Sequence, residues 1–242
     1  MSRPHLITMD WGTSSWRGVL WDRSGHVLEE RSASQGILQV APGGFAQAWQ
    51  TLAGDWIQRG ARCCLMSGMV GSRQGWVEVP YLACPATFEM LAAQVTWLRQ
   101  VGLPVPVGIV AGLSTELDGL PDVMRGEETQ IFGAAQLLDL QSATLVLPGT
   151  HSKWAHLEHG AVTGFRSFMT GEVYALLRQH SILARLMPKI EEDTLLEEAF
   201  VQGVRNSQKG HLLSVLFSAR TLGLMDRMAP QALPSYLSGM LI

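Results

Sequence analysis

Asp10-Trp11-Gly12-Thr13-Ser14-Ser15 places a carboxylate, a glycine and a run of hydroxyls at the end of an apolar stretch that begins at Leu6. A carboxylate there can hold Mg²⁺ or its water, Gly12 lets the backbone approach closely, and Thr13 and Ser14 can donate to phosphate oxygens. An ordinary hairpin with an Asp-capped turn would use the same residues. The motif has an echo in Pro148-Gly149-Thr150-His151-Ser152-Lys153. Two Gly-Thr turns facing each other across a cleft could grip a nucleotide's phosphates from both sides. Between them Arg125-Gly126-Glu127-Glu128 opens a helical pattern. Acidic residues favour a helix start for dipole reasons alone, and the same place suits a carboxylate that accepts a hydroxyl proton during phosphoryl transfer. Successive helical residues point about 100° apart, so at most one of Glu127 and Glu128 aims at a substrate. The local pattern leaves open which of the two that is, and plain helix capping accounts for both.

Ser67 to Trp76 reads SGMVGSRQGW and is followed by Pro80-Tyr81. A strand, a glycine turn and an edge hairpin explain the glycines, but not why Arg73 and Trp76 sit there. Met169-Thr170-Gly171-Glu172 has two readings, ligand contact or a helix start capped by Thr170. Lys153 is either a point charge near phosphate or a solvated strand residue. His151 lacks the converging partners of a hydrolase triad, and the other histidines show no metal-ligand spacing. Trp11, Trp16, Trp21, Trp49 and Trp56 read as core and lobe interface.

These residues need elements to hold them. Leu6 to Asp10, Ser15 to Trp21 and the run after Gly25 read as an antiparallel meander, Gly43 to Arg59 as a helix, and Arg62 to Met66 as a strand. Thr87 to Gln100 carries Phe88, Leu91, Val95 and Leu98 at helical spacing, and a strand is expected in the VPVGIVAG that ends at Gly112. A helix from Glu127 leads into a second meander, Ala143 to Met169, whose strand, Gly-Thr turn and Trp-bearing strand parallel the first. Helical stretches follow at about Glu172 to Leu186, Thr194 to Val204 and His211 to Leu222. The chain of 242 residues fits two lobes, set at 1–140 and 141–242. A formal net charge of -3 without long like-charge runs argues against nucleic acid and anionic lipid as partners. With no signal-peptide or membrane-spanning run, a cytoplasmic protein is expected. Cys63, Cys64 and Cys84 read as reduced core thiols.

The order of these pieces resembles the sugar kinase, Hsp70 and actin superfamily, in which MDWGTSSWR looks like the first phosphate motif and LPGTHSKW like the second. Together with SGMVGSRQGWVEVPYL, MRGEETQIFGA and FMTGEVYALLRQHS, they resemble the 2-dehydro-3-deoxygalactonokinase family over essentially the whole chain. The resemblance implies an α/β fold of two actin-like, ribonuclease H-like lobes, each a mixed sheet flanked by helices. It implies ATP and Mg²⁺, with phosphorylation of 2-dehydro-3-deoxy-D-galactonate to its 6-phosphate. Asp10 would position the metal, Gly12, Thr13, Ser14, Gly149, Thr150 and His151 would hold phosphates, and Glu127 would be the base. Arg73, Trp76, Arg125 and Thr170 would meet the sugar acid or transition-state charge. Family members continue beyond Ile242 into an adenosine-binding part, so a second lobe cut short is expected. Alternatives kept open are a kinase for another sugar or sugar acid, a truncated sugar-acid-binding protein without activity, and a phosphatase of the same superfamily; a homodimer is also kept open.

Overall fold

The computed structural model describes residues 3–98, 103–190 and 194–242. In chain order, β1 (Pro4–Trp11), β2 (Trp16–Asp22) and β3 (Val27–Ala33) precede α1 (Phe45–Gln58) and β4 (Cys63–Ser67). Next come β5 (Leu82–Ala83), β6 (Ala86–Thr87), α2 (Phe88–Ala93), β7 (Thr96–Trp97), β8 (Val107–Ile109), β9 (Leu113–Leu117), β10 (Leu120–Met124) and α3 (Glu127–Leu137). The remainder is β11 (Ala143–Leu147), β12 (Ser152–Glu158), β13 (Ala161–Phe168), α4 (Thr170–His180), α5 (Glu197–Ser207), α6 (Leu212–Val215), α7 (Ser218–Leu224) and α8 (Leu233–Leu241).

The main sheet runs β3-β2-β1-β4-β8-β7. β1, β2 and β3 pair antiparallel as the meander required, while β4 and β8 add on parallel to β1. That order and those directions are the mixed, ribonuclease H-like sheet expected of an actin-like lobe. Alternation along β1 buries Ile7, Met9 and Trp11, and α1 buries Phe45, Trp49, Leu52, Ala53 and Trp56. Trp11, Trp16, Trp49 and Trp56 are core residues; Trp21 is half-buried and donates to Thr8 Oγ1 at 2.8 Å. A second sheet, β10-β9-β5, has its hairpin closed by Asp118-Gly119, both at positive φ, as a tight primed turn requires. A third sheet is β11-β12-β13-β6.

The helix expected over Thr87 to Gln100 is not formed. Only Phe88–Ala93 is helical, capped by the Thr87 hydroxyl accepting from Met90 N, and Thr96–Trp97 then pairs antiparallel with β8. Gln100 lies outside the described residues. The stretch expected as one helix from Glu172 to Leu186 stops at His180 and continues as a 3₁₀ turn, Ile182–Leu186. The His211 to Leu222 stretch is likewise split between α6 and α7. The three cysteines are unpaired; Cys64 is buried, and burial pushes its thiol up to about 12 and that of Cys84 to about 11.

Residues form two compact units, Met1–Val146 with Lys153–Arg166, and Leu147–Ser152 with Ser167–Ile242. The boundary expected at 140/141 differs from this division, because most of β11, β12 and β13 belongs to the first unit. The second unit is built around Leu183, Ala199, Leu216, Ala219, Tyr236, Leu237 and Met240. There α5 and α8 cross at two glycines: a Cβ on Gly203 would lie 2.1 Å from Tyr236 O, and one on Gly239 would lie 2.0 Å from Phe200 O. Asn206 Nδ2 donates to Tyr236 Oη at 2.9 Å, satisfying the buried phenol beside the crossing.

Candidate active site

In the first unit β1 carries Asp10 to the edge of a pocket of about 710 Å³, lined also by Thr8, Arg17, Ser67, Thr129 and Gln130. Its walls include the apolar Leu65, Phe88, Leu91, Val110 and Phe132. Register explains the polar set: Asp10 pairs with Arg17 on β2 and with Ser67 at the end of β4. The Asp10 carboxyl stays open to solvent, yet desolvation raises its pKa above the ordinary carboxylate value, with the Arg17 charge opposing.

Two glycines make room at this carboxylate. Gly68 has φ 90° and a Cβ there would lie 2.9 Å from Asp10 Oδ1; Gly126 has φ 110° and its Cβ would lie 3.2 Å from Gly68 Cα and 4.0 Å from Asp10 Oδ1. Positive φ and crowding together restrict both positions to glycine. The start of α3 is thereby brought against the end of β1, so Asp10 and the Gly126-Glu127 pair share one place.

At that helix start both acids reach back to the backbone. Arg125 N donates to Glu127 Oε2 at 3.0 Å and Gly126 N donates to Glu128 Oε2 at 2.7 Å. Their surroundings differ sharply. Glu128 is 0% exposed, its Oε1 has no partner among the described residues, and burial pushes its carboxyl up to about 8. Glu127 is half-buried and accessible. A substrate hydroxyl can reach Glu127 and cannot reach Glu128.

Arg125 is 9% exposed. Its guanidinium lies over the Tyr81 ring at 4.3 Å and Nη2 donates to Val79 O at 2.6 Å, tying the segment after Trp76 to the start of α3. Nε and Nη1 are buried without a partner among the described residues, so Arg125 offers no open fork to a carboxylate in this conformation. Arg73 is open: 86% exposed, with Nε 3.3 Å from Glu78 Oε1. Trp76 is half-buried in an aromatic cluster, stacked on Phe45 at 6.3 Å and tilted against Trp49 at 6.3 Å, leaving less of its face free than a sugar platform would have. Lys153, half-expected in solvent, is 6% exposed and donates to Val123 O at 2.9 Å.

The turn at Gly12 to Ser14 is exposed at both hydroxyls and is pinned by Ile37 N donating to Gly12 O at 3.0 Å. In the second unit Gly149, Thr150 and His151 are exposed, and α4 begins directly against them. Glu172 N donates to Thr150 O at 3.0 Å, the Ser152 and Thr170 hydroxyls lie 2.6 Å apart, and His151 Nε2 lies 2.5 Å from Glu172 Oε2. Thr170 is therefore not the N-cap; Met169 holds that position and Thr170 is the first helical residue. Sequence reading missed Arg17, Ser67 and Thr129, whose place at the pocket comes from strand register and helix phase rather than from any local motif.

Among the described residues no cluster of three or more His, Cys, Asp or Glu side chains could hold a metal alone. Asp10, with the space left by Gly68 and Gly126, nevertheless fits Mg²⁺, which commonly takes one or two carboxylates and completes its shell with water and substrate phosphates.

Residues 10–242 match the family model for 2-keto-3-deoxy-galactonokinase. The Rhizobium meliloti (strain 1021) protein assigned as 2-dehydro-3-deoxygalactonokinase DgoK1 is 35% identical over 240 residues, covering 98% of this chain and 78% of that protein. The 2-dehydro-3-deoxygalactonokinase of Escherichia coli (strain K12) is 33% identical over 237 residues, covering 98% of this chain and 77% of its own. A crystal structure of a Sinorhizobium meliloti protein assigned to the same activity superposes with a TM-score of 0.89 at 34% identity, over 98% of this chain and 78% of that one.

Proposed function

Since the chain belongs to the 2-keto-3-deoxy-galactonokinase family of carbohydrate kinases, we propose that it transfers the γ-phosphoryl group of ATP to the 6-hydroxyl of 2-dehydro-3-deoxy-D-galactonate, in the cytoplasm. The observation that carries the site reading is the meeting of Asp10, Gly68 and Gly126 at the start of α3 with Glu127 accessible and Glu128 sealed.

In this reading the substrate hydroxyl oxygen attacks the γ-phosphorus, the bond from that phosphorus to the bridging oxygen breaks, and ADP leaves with the electron pair. Glu127 accepts the hydroxyl proton. Phosphoryl transfer of this kind rests on positioning and charge stabilisation. Asp10 would hold Mg²⁺, which neutralises phosphate charge when bound. In the first unit, backbone and hydroxyl groups of Gly12 to Ser14 would donate to phosphate oxygens; in the second unit, taken by itself, the exposed turn Gly149 to His151 is read as a phosphate holder. Arg73, exposed and only loosely paired, is the candidate for the sugar-acid carboxylate. Arg125 acts by holding Val79 and Tyr81 to the helix start rather than by touching substrate.

Purified protein given MgATP and a panel of sugars and sugar acids tests the proposal through ADP release. Release that depends on 2-dehydro-3-deoxy-D-galactonate and exceeds that with other acceptors is expected. Strongest release with a different acceptor would reassign the substrate. Phosphate release without acceptor would replace the kinase reading with a phosphatase, and sugar-acid binding without ADP release would replace it with a binding protein.

A further inference from the structure

The segment Met169 to Glu172 carries a threonine and an acid that the sequence left between ligand contact and plain capping. Capping fails, because Thr170 lies inside α4 and no side chain caps its first turn. What Thr170, Gly171 and Glu172 do instead is engage one turn, residue by residue. The Thr170 hydroxyl meets Ser152 Oγ at 2.6 Å, and Ser152 Oγ accepts from Gly149 N at 3.3 Å. Gly171 packs so closely that a Cβ would lie 2.5 Å from Gly149 O and 3.0 Å from Thr150 Cα. Glu172 donates its N–H to Thr150 O at 3.0 Å and offers its carboxylate to His151 Nε2 at 2.5 Å. Three consecutive residues thus hold four consecutive residues of the Gly149-to-Ser152 turn through backbone, hydroxyl and imidazole together.

A lone exposed His–Glu pair would be worth little. Here it is one of several contacts that share a target, and together they leave the turn no freedom to drift. We infer that Thr170, Gly171 and Glu172 are positioning residues for the nucleotide phosphates, acting through the Gly149–Ser152 turn, and are not sugar-acid ligands. Glu172 fixes which way the His151 ring faces, and Thr170 fixes the Gly149 N–H through Ser152. This rests on the reading of that turn as a phosphate holder.

The test is steady-state kinetics on the whole chain, with KM for ATP and for the sugar acid measured separately. Thr170→Val, Gly171→Ala and Glu172→Gln should each raise KM for ATP on the order of tenfold, because small misplacements of positioning groups cost factors of that size, while KM for the sugar acid stays within about twofold. Thr170→Ser keeps the hydroxyl and should restore the wild-type value, which separates positioning from a general loss of fold. A rise in KM for the sugar acid with KM for ATP unchanged would overturn the inference, as would no change in either. Gly149→Val is the control on the underlying reading: its Cβ would meet nothing within 4 Å, so the larger side chain intrudes mainly where a phosphate would lie. If Gly149→Val leaves KM for ATP unchanged, the turn does not hold phosphate and both fall. If it weakens ATP while the α4 variants behave as wild type, only the positioning role falls.

Discussion

Asp10 and the two adjacent glutamates are chemically similar acids separated by their surroundings. Asp10→Asn keeps the shape of the side chain but removes the charge that would hold Mg²⁺ against phosphates, so turnover should drop at least about a hundredfold with an unchanged melting temperature. Unchanged kcat would reject the metal role. Glu127→Gln should lower kcat about a hundredfold to ten-thousandfold with sugar-acid binding kept, as loss of a positioned base does. Glu128→Gln should lose little activity, because a carboxyl sealed from solvent cannot meet a hydroxyl; the reverse ranking would reject Glu127 as base. The sequence could name these acids, since the glycine-acid order is local, while preferring Glu127 also leaned on the family resemblance. It could not tell that Arg125 faces inward or that Lys153 ends on Val123 O. Those roles depend on partners 46 and 30 residues away, and no local pattern encodes them.

The first turn of α3 stores a proton. Burial lifts the Glu128 carboxyl from 4.5 to about 8, so between those values the folded state holds a proton that the unfolded chain releases. The stabilisation is fully present below the unfolded value and drains as pH rises toward the folded one. With about 1.4 kcal/mol for each unit of pKa difference, the loss amounts to several kcal/mol. Wild-type unfolding free energy should therefore fall from pH 5 to pH 8 more steeply than that of Glu128→Gln, in which the position no longer titrates; parallel curves would show that Glu128 is not held neutral. Elements whose period matched their burial, such as β1 and α1, were readable in advance. The stretch after Thr87 was not. Its apolar spacing suits a helix, but Val95, Thr96 and Trp97 are β-formers, and they lie where the bare Gly108 of β8 admits Val95 and Trp97. Pairing at a sheet edge overrode the local period, as β-propensity in context commonly does.

At the scale of the whole chain the sequence suggested two lobes by repetition of a meander, and the packing draws the division differently. Most of the second meander lies in the first unit, while the Gly149 turn joins the helices of the second. The reason is visible in β6, whose Ala86 and Thr87 pair with Val162 and Ala161 of β13: a strand from early in the chain completes the later sheet, a pairing no local motif announces. Each unit nevertheless encloses an apolar core of its own, Ile7, Trp49 and Trp56 in one and Leu183, Tyr236 and Met240 in the other. Units with separate cores can lose structure separately, whereas one shared core would unfold as a single transition. The crossing of α5 and α8 gives a way to strike one core alone. Gly239→Ala would drive a methyl to 2.0 Å from Phe200 O, and overpacking of this kind costs about 1–3 kcal/mol or more. In denaturant titrations followed by tryptophan fluorescence and far-UV circular dichroism, the fluorescence signal reports the first unit, because all eight tryptophans lie in Met1–Val146 or Lys153–Arg166. The circular dichroism signal also carries the helices α4 to α8. Gly239→Ala should move the midpoint of the circular dichroism curve to lower denaturant and leave the fluorescence midpoint in place. If both signals shift together by the same amount, the two cores unfold as one cooperative body and the division into independently stable units is wrong.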